Sequence, residues 1–98
     1  MKITSVHRPE HAILAALLRD CRVEAGMTQA QAAEKLGVTQ TTISKLEINE
    51  RGVDFLVARD LCAIYGVDMH WLLDEVDSQS MKQKLPRARL VRKDKKKL

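Results

Sequence analysis

At 98 residues, with 45% of them apolar, 3% aromatic and 31% charged, the chain has material for a single modest core and no second folding unit. Its two Cys, Cys21 and Cys62, lie far apart in apolar stretches with no CxxC pair, which excludes a disulfide framework and points to small core residues in a reducing cytoplasm. The net charge of +4 conceals a split: residues 1–77 hold eight Lys/Arg against twelve Asp/Glu, and residues 78–98 hold nine Lys/Arg against Asp94 alone.

Residues 1–8 form a polar lead-in. Pro9 suits a first helical position and Glu10 a first turn, after which Leu14, Leu17, Leu18, Cys21 and Ala25 recur at three- and four-residue spacing. This predicts a helix over about 9–25, stopped by Gly26. Thr28 with Gln31 reads as a capping box opening a short helix through Ala32, Ala33 and Leu36 to Gly37. Thr39 repeats the device for a third helix, whose Ile43 and Leu46 face inward while Gln40, Thr41, Ser44 and Lys45 face out.

After a loop at 49–52, Asp54 caps a fourth helix with a predicted core stripe of Phe55, Ala58, Leu61, Cys62 and Tyr65, ended by Gly66. Asp68 caps a short fifth helix that turns Met69, Leu72 and Leu73 inward. From about Ser78 basic residues replace the apolar periodicity and Pro86 breaks any continuous helix. The division is therefore a lead-in at 1–8, a helical domain at 9–76 and a flexible basic tail at 77–98. No strand, repeat or apolar run long enough to span a bilayer is expected.

Two short helices hinged at Gly37 make a helix-turn-helix, in which Ala33 is small for close crossing and the outer face of the second helix is free to enter a major groove. The stretch GMTQAQAAEKLGVTQTTISKLE closely resembles the phage-repressor and Cro type of helix-turn-helix, the XRE family, and the likeness extends over about residues 7–75. The resemblance implies an all-α, five-helix lambda-repressor-like domain. It further implies sequence-specific binding of an operator in double-stranded DNA, as a homodimer, by a transcription regulator that is more often a repressor than an activator.

By matching positions, the resemblance gives Gln40, Thr41, Ser44 and Lys45 as base-contacting residues, with Gln40 suited to adenine and Lys45 to guanine or phosphate. It gives Gln29 as a phosphate contact that braces Gln40. Thr28, Thr39 and Thr42 fall at capping and backbone-contact positions, and Asn49 and Arg51 in the loop that meets phosphate. Because the domain itself is acidic, Arg19, Arg22, Lys45, Arg51 and the tail are the cations expected to offset it on DNA.

Trp71 with Val57 and Ile64 is a candidate self-complementary patch for a two-fold dimer; the alternative is that these residues finish the core or pack on the tail. Glu24, Glu34, Glu50 and Asp54 read as solvated surface. His7 and His11 stand four apart with Glu10 beside them, a metal-compatible spacing, but no third ligand is in sight because His70 lies far along the chain, so no metal and no cofactor is expected. No nucleophile has a base and orienting group, so no enzyme is expected. The competing reading is a protein-interaction module on the same fold, such as an antitoxin that neutralises a toxin. No membrane role is expected, since the polybasic end has no lipidation motif.

Overall fold

The computed structural model describes residues 8–84 and contains five α-helices: α1 (Pro9–Glu24), α2 (Gln29–Leu36), α3 (Gln40–Glu47), α4 (Phe55–Tyr65) and α5 (Met69–Lys82). Each helix start after the first is set by the side chain expected to set it. Thr28 accepts from the Gln31 amide at 3.0 Å and donates its own amide to Gln31 Oε1 at 2.9 Å, a complete capping box. Thr39, Asp54 and Asp68 accept from the amides of Thr42, Val57 and His70.

The helices close around one apolar centre. Ile13, Leu17, Leu18 and Cys21 of α1 meet Ala32 and Ala33 of α2, Ile43 and Leu46 of α3, Leu61, Cys62 and Tyr65 of α4, and Leu72 of α5. Ala32 and Ala33 are almost fully enclosed at 0% and 3% exposure, so a larger side chain at either would push α2 off its neighbours. Cys21 and Cys62 are free thiols within this core, and burial pushes both thiols up from their ordinary range.

Gly37 ends α2 with φ of 83°, and its amide returns to Ala33 O at 2.8 Å. A Cβ built there meets nothing within 4 Å, so the position demands glycine for backbone conformation and not for space. Gly37→Ala is therefore expected to cost about 1–2 kcal/mol, the left-handed strain alone. Thermal unfolding of the variant checks this, and an unchanged midpoint would contradict it.

Four expectations change. Phe55, placed in the α4 core stripe, is 67% exposed, and Leu73, placed inward on α5, is 53% exposed. Phe55 is the first residue of α4, where the stripe has not yet come round to the core, and Leu73 adjoins Leu72, which takes the inward position. Ala25, counted in the α1 stripe, is the exposed C-cap of that helix. Finally, α5 is not short: it continues through the boundary expected at 77 to Lys82, burying Ser80.

Candidate nucleic-acid interface

The turn at Gly37, Val38 and Thr39 sets α3 across α2 so that Ile43 and Leu46, at 1% and 4% exposure, pin one side of α3 into the core. The opposite side cannot then turn inward. It gathers Gln40, Thr41, Ser44 and Lys45 on one concave surface with Gln29 from the start of α2, joined by Ile48 and Glu50. Gln40, Thr41 and Lys45 are exposed, while Ser44 and Gln29 are half-buried. Spacing on α3 predicts Gln40, Thr41, Ser44 and Lys45 but not Ile48, which at 59% exposure adds a branched apolar side chain to a polar face.

The remaining expected residues divide by what they touch. Thr28 and Thr39 are spent on caps, and the Thr39 and Thr42 hydroxyl oxygens lie 3.1 Å apart. Asn49 adopts φ of 61°, and α3 is closed by Asn49 N to Leu46 O at 3.3 Å and Glu50 N to Lys45 O at 2.9 Å. Arg51 follows, exposed. Val57 and Ile64 are half-buried against the core, whereas Trp71 is 44% exposed on α5.

Beneath the ridge lies a polar network that spacing did not reveal. Arg22, at the end of α1, donates from Nε to Glu47 Oε2 at 2.7 Å and from Nη2 to Oε1 at 3.1 Å, and its Nη1 donates to Met27 O at 2.7 Å. The two side chains are only 11% and 4% exposed, so this bidentate pair is an internal bolt between α1 and the last turn of α3. Arg22 was among the cations expected to face phosphate; it is consumed here instead. The hydrogen bonds to Glu47 hold its guanidinium above its ordinary range. Tyr65 is pushed up to about 12, first by burial and then by the Glu47 carboxylate, with Arg22 opposing.

From Glu47 the network reaches the surface. Gln29 donates from Nε2 to Glu47 Oε1 at 3.0 Å, which turns its own Oε1 toward Gln40, whose Nε2 lies 3.5 Å away. The bracing of Gln40 by Gln29 is thus present, at the long limit of a hydrogen bond. Anchoring one end of the pair on a buried carboxylate limits the rotamers open to both amides before any ligand arrives.

A bent helix pair with an outward polar ridge, packed on three further helices, defines the helix-turn-helix class. The Helix-turn-helix family model matches residues 18–72. Among solved structures, the chain is similar to an XRE-family like protein from Pseudomonas syringae pv. tomato str. DC3000, at 34% identity and a TM-score of 0.67, covering 72% of this chain and 87% of that one. It is also similar to the clp gene regulator ClgR from Corynebacterium glutamicum, at 27% identity and a TM-score of 0.64, covering 71% of this chain and 90% of that one. No curated protein matches the chain in sequence. The chain belongs to the XRE-type helix-turn-helix family of DNA-binding transcriptional regulators.

Among the described residues no group of three or more His, Cys, Asp or Glu is placed to hold a metal ion, and no helix is long and apolar enough to cross a membrane.

Proposed function

We propose that the chain is a sequence-specific cytoplasmic repressor that inserts α3 into the major groove of an operator as a two-fold dimer. The observation that carries this reading is the exposed ridge of Gln40, Thr41 and Lys45 on a helix whose other side is locked by Ile43 and Leu46. The ridge supplies amide, hydroxyl, methyl and ammonium groups, the chemistry that base edges discriminate. Two copies would present their α3 helices about 34 Å apart, one turn of the duplex. Occupancy of the operator, without a cofactor, would block polymerase. Val57 and Ile64 are the surface we assign to the dimer contact; Trp71, grouped with them from sequence, is left out of it, because it lines the separate groove between α1 and the α4–α5 turn.

In this reading Gln40, Thr41, Ser44 and Lys45 face bases, Ile48 offers an apolar contact to a thymine methyl, and Gln29 and Arg51 meet phosphate. Thr28, Thr39, Thr42 and Asn49 shape the helix ends whose amides approach the backbone.

The basic segment that follows α5 contributes sequence-independent attraction. Residues 85–98 hold seven Lys/Arg against Asp94, and removing them is expected to flatten the salt dependence of DNA binding. The cut belongs at 85 and not at the tail boundary of 77 expected from sequence, because a cut there would delete the buried Ser80 and the last turn of α5. Fluorescence-anisotropy titrations across a salt series check this, and an unchanged slope would remove the segment from the interface.

One observation favours a second reading. The described residues, 8–84, carry twelve Asp/Glu against nine Lys/Arg, an acidic surface suited to a basic protein partner such as the toxin of a toxin–antitoxin pair. A stoichiometric protein partner recovered with the chain from its host, with no retention on DNA, would favour that reading over the operator.

A further inference from the structure

A groove of about 770 Å³ opens between α1 and the α4–α5 turn, and it shares no lining residue with the α3 ridge. Its floor is apolar and aromatic, formed by Leu17, Tyr65 and Trp71, while Asp20, Glu24 and Asp68 stand around it. Leu17 and Tyr65 are buried and Trp71 is 44% exposed, so an indole face is open to a visitor. Of the carboxylates, Asp20 makes one loose pair with Arg19 at 3.7 Å and is 67% exposed, Glu24 is exposed, and Asp68 caps α5 through Oδ1. Such a surface suits a basic segment interspersed with apolar residues: guanidinium and ammonium groups for the carboxylates, an arginine plane for the indole, aliphatic side chains for the floor.

The chain carries a segment of that composition. Residues 85–98 read LPRARLVRKDKKKL, in which Leu85, Leu90 and Val91 are interleaved with Arg87, Arg89 and Arg92. Its reach is sufficient. The groove lies at the start of α5 and the segment follows its end, so the return distance is about 21 Å for a 14-residue helix. Residues 85–98 span up to about 46 Å when extended, which leaves about half of the segment to lie in the groove.

We propose that this groove is the docking site of the chain's own basic carboxyl-terminal segment, and that duplex DNA competes with the groove for it. The choice of the chain's own segment over that of a second copy follows from tethering, which holds the segment at a millimolar effective concentration. Exposed ion pairs are individually weak and screened by salt, so the docked state is shallow and yields to a phosphate lattice. The acidic groove then shields the segment from DNA until a duplex is engaged. Docking stands on the groove and the segment alone; the competition rests on the DNA-binding reading above.

Trp71 is the single tryptophan and reports docking directly. The test is acrylamide quenching of the full chain at low salt without DNA, a neutral quencher being blind to the charge changes. Two variants are compared with the parent: Asp20→Asn with Glu24→Gln in the groove, and Arg87→Gln with Arg89→Gln and Arg92→Gln in the segment. With most molecules docked by tethering, each variant is expected to raise the quenching constant about twofold, and high salt to bring the parent to the same value. The parent's protection is expected to be independent of protein concentration.

Equal quenching of the parent and both variants would overturn docking. Protection that develops only as concentration rises would assign the groove to a second copy and overturn the proposal as stated. Duplex DNA is expected to raise quenching of the parent to the variants' level. If the variants differ from the parent but bound DNA leaves quenching unchanged, docking holds and the competition is overturned; absence of DNA binding altogether refutes the regulator reading and leaves docking supported.

Discussion

The Glu47→Ala variant is expected to lose about 3–5 kcal/mol of stability, the cost of removing one partner from an enclosed ion pair. Arg22 would keep its Met27 carbonyl but lose both hydrogen bonds to carboxylate, in a site where it is only 11% exposed. Against the roughly 5–15 kcal/mol that holds a typical domain together, that loss is large. Replacing both partners with apolar residues of similar length, Arg22→Met with Glu47→Leu, is expected to recover most of it, because no stranded charge remains.

Recognition is not expected to recover with stability. Gln29 would have no Glu47 oxygen to donate to, and its brace on Gln40 would be free to turn. The double variant is therefore predicted to fold well and to discriminate its operator poorly. Urea unfolding and binding titrations on the same preparations check the pair of statements. A loss below about 1 kcal/mol for Glu47→Ala would show that the pair behaves as a surface salt bridge and does not bolt α1 to α3.

The second large effect concerns readout. Gln40→Ala is predicted to cost roughly 1–3 kcal/mol on the cognate site and little on random duplex, since a bidentate amide contact is lost only where an adenine matches it. Arg51→Ala is expected to weaken both about equally, as a phosphate contact carries no sequence information. Gel-shift titrations separate the two patterns. Equal losses on both duplexes for Gln40→Ala would remove base reading from that position.

What sequence alone made legible was local. Thr28, Thr39, Asp54 and Asp68 announce helix starts because a cap needs one short polar side chain within three residues of its amide. Gly26, Gly37 and Gly66 announce ends because each has a positive φ. With α2 and α3 so bounded, Ala33, Ile43 and Leu46 settle which side of α3 must point out.

Structure and sequence part where a single helix's periodicity is ambiguous or where the partner is distant. Phe55 and Leu73 are apolar and adjacent to inward positions, and only the packing of five helices decides which of two neighbours is enclosed. The continuation of α5 was hidden because Asp77, Ser78 and Gln79 interrupt the apolar pattern, although Val76 and Ser80 still face the protein. Arg22 and Glu47 are 25 residues apart, and nothing in either neighbourhood marks one as the other's partner. Sequence places Arg22 among the cations facing DNA and gives Glu47 no role, yet together they support the polar ridge from within.

The most direct test of the central claim is selection of bound fragments from a random duplex pool. The account predicts enrichment of two inverted half-sites whose centres lie about one helical turn apart. It further predicts that Gln40→Ala relaxes the preference at one position in each half-site without abolishing selection. A pool that returns no enriched sequence, or one whose enriched sequence is unchanged by the substitution of Gln40, would contradict the reading of α3 as the element that inspects base pairs.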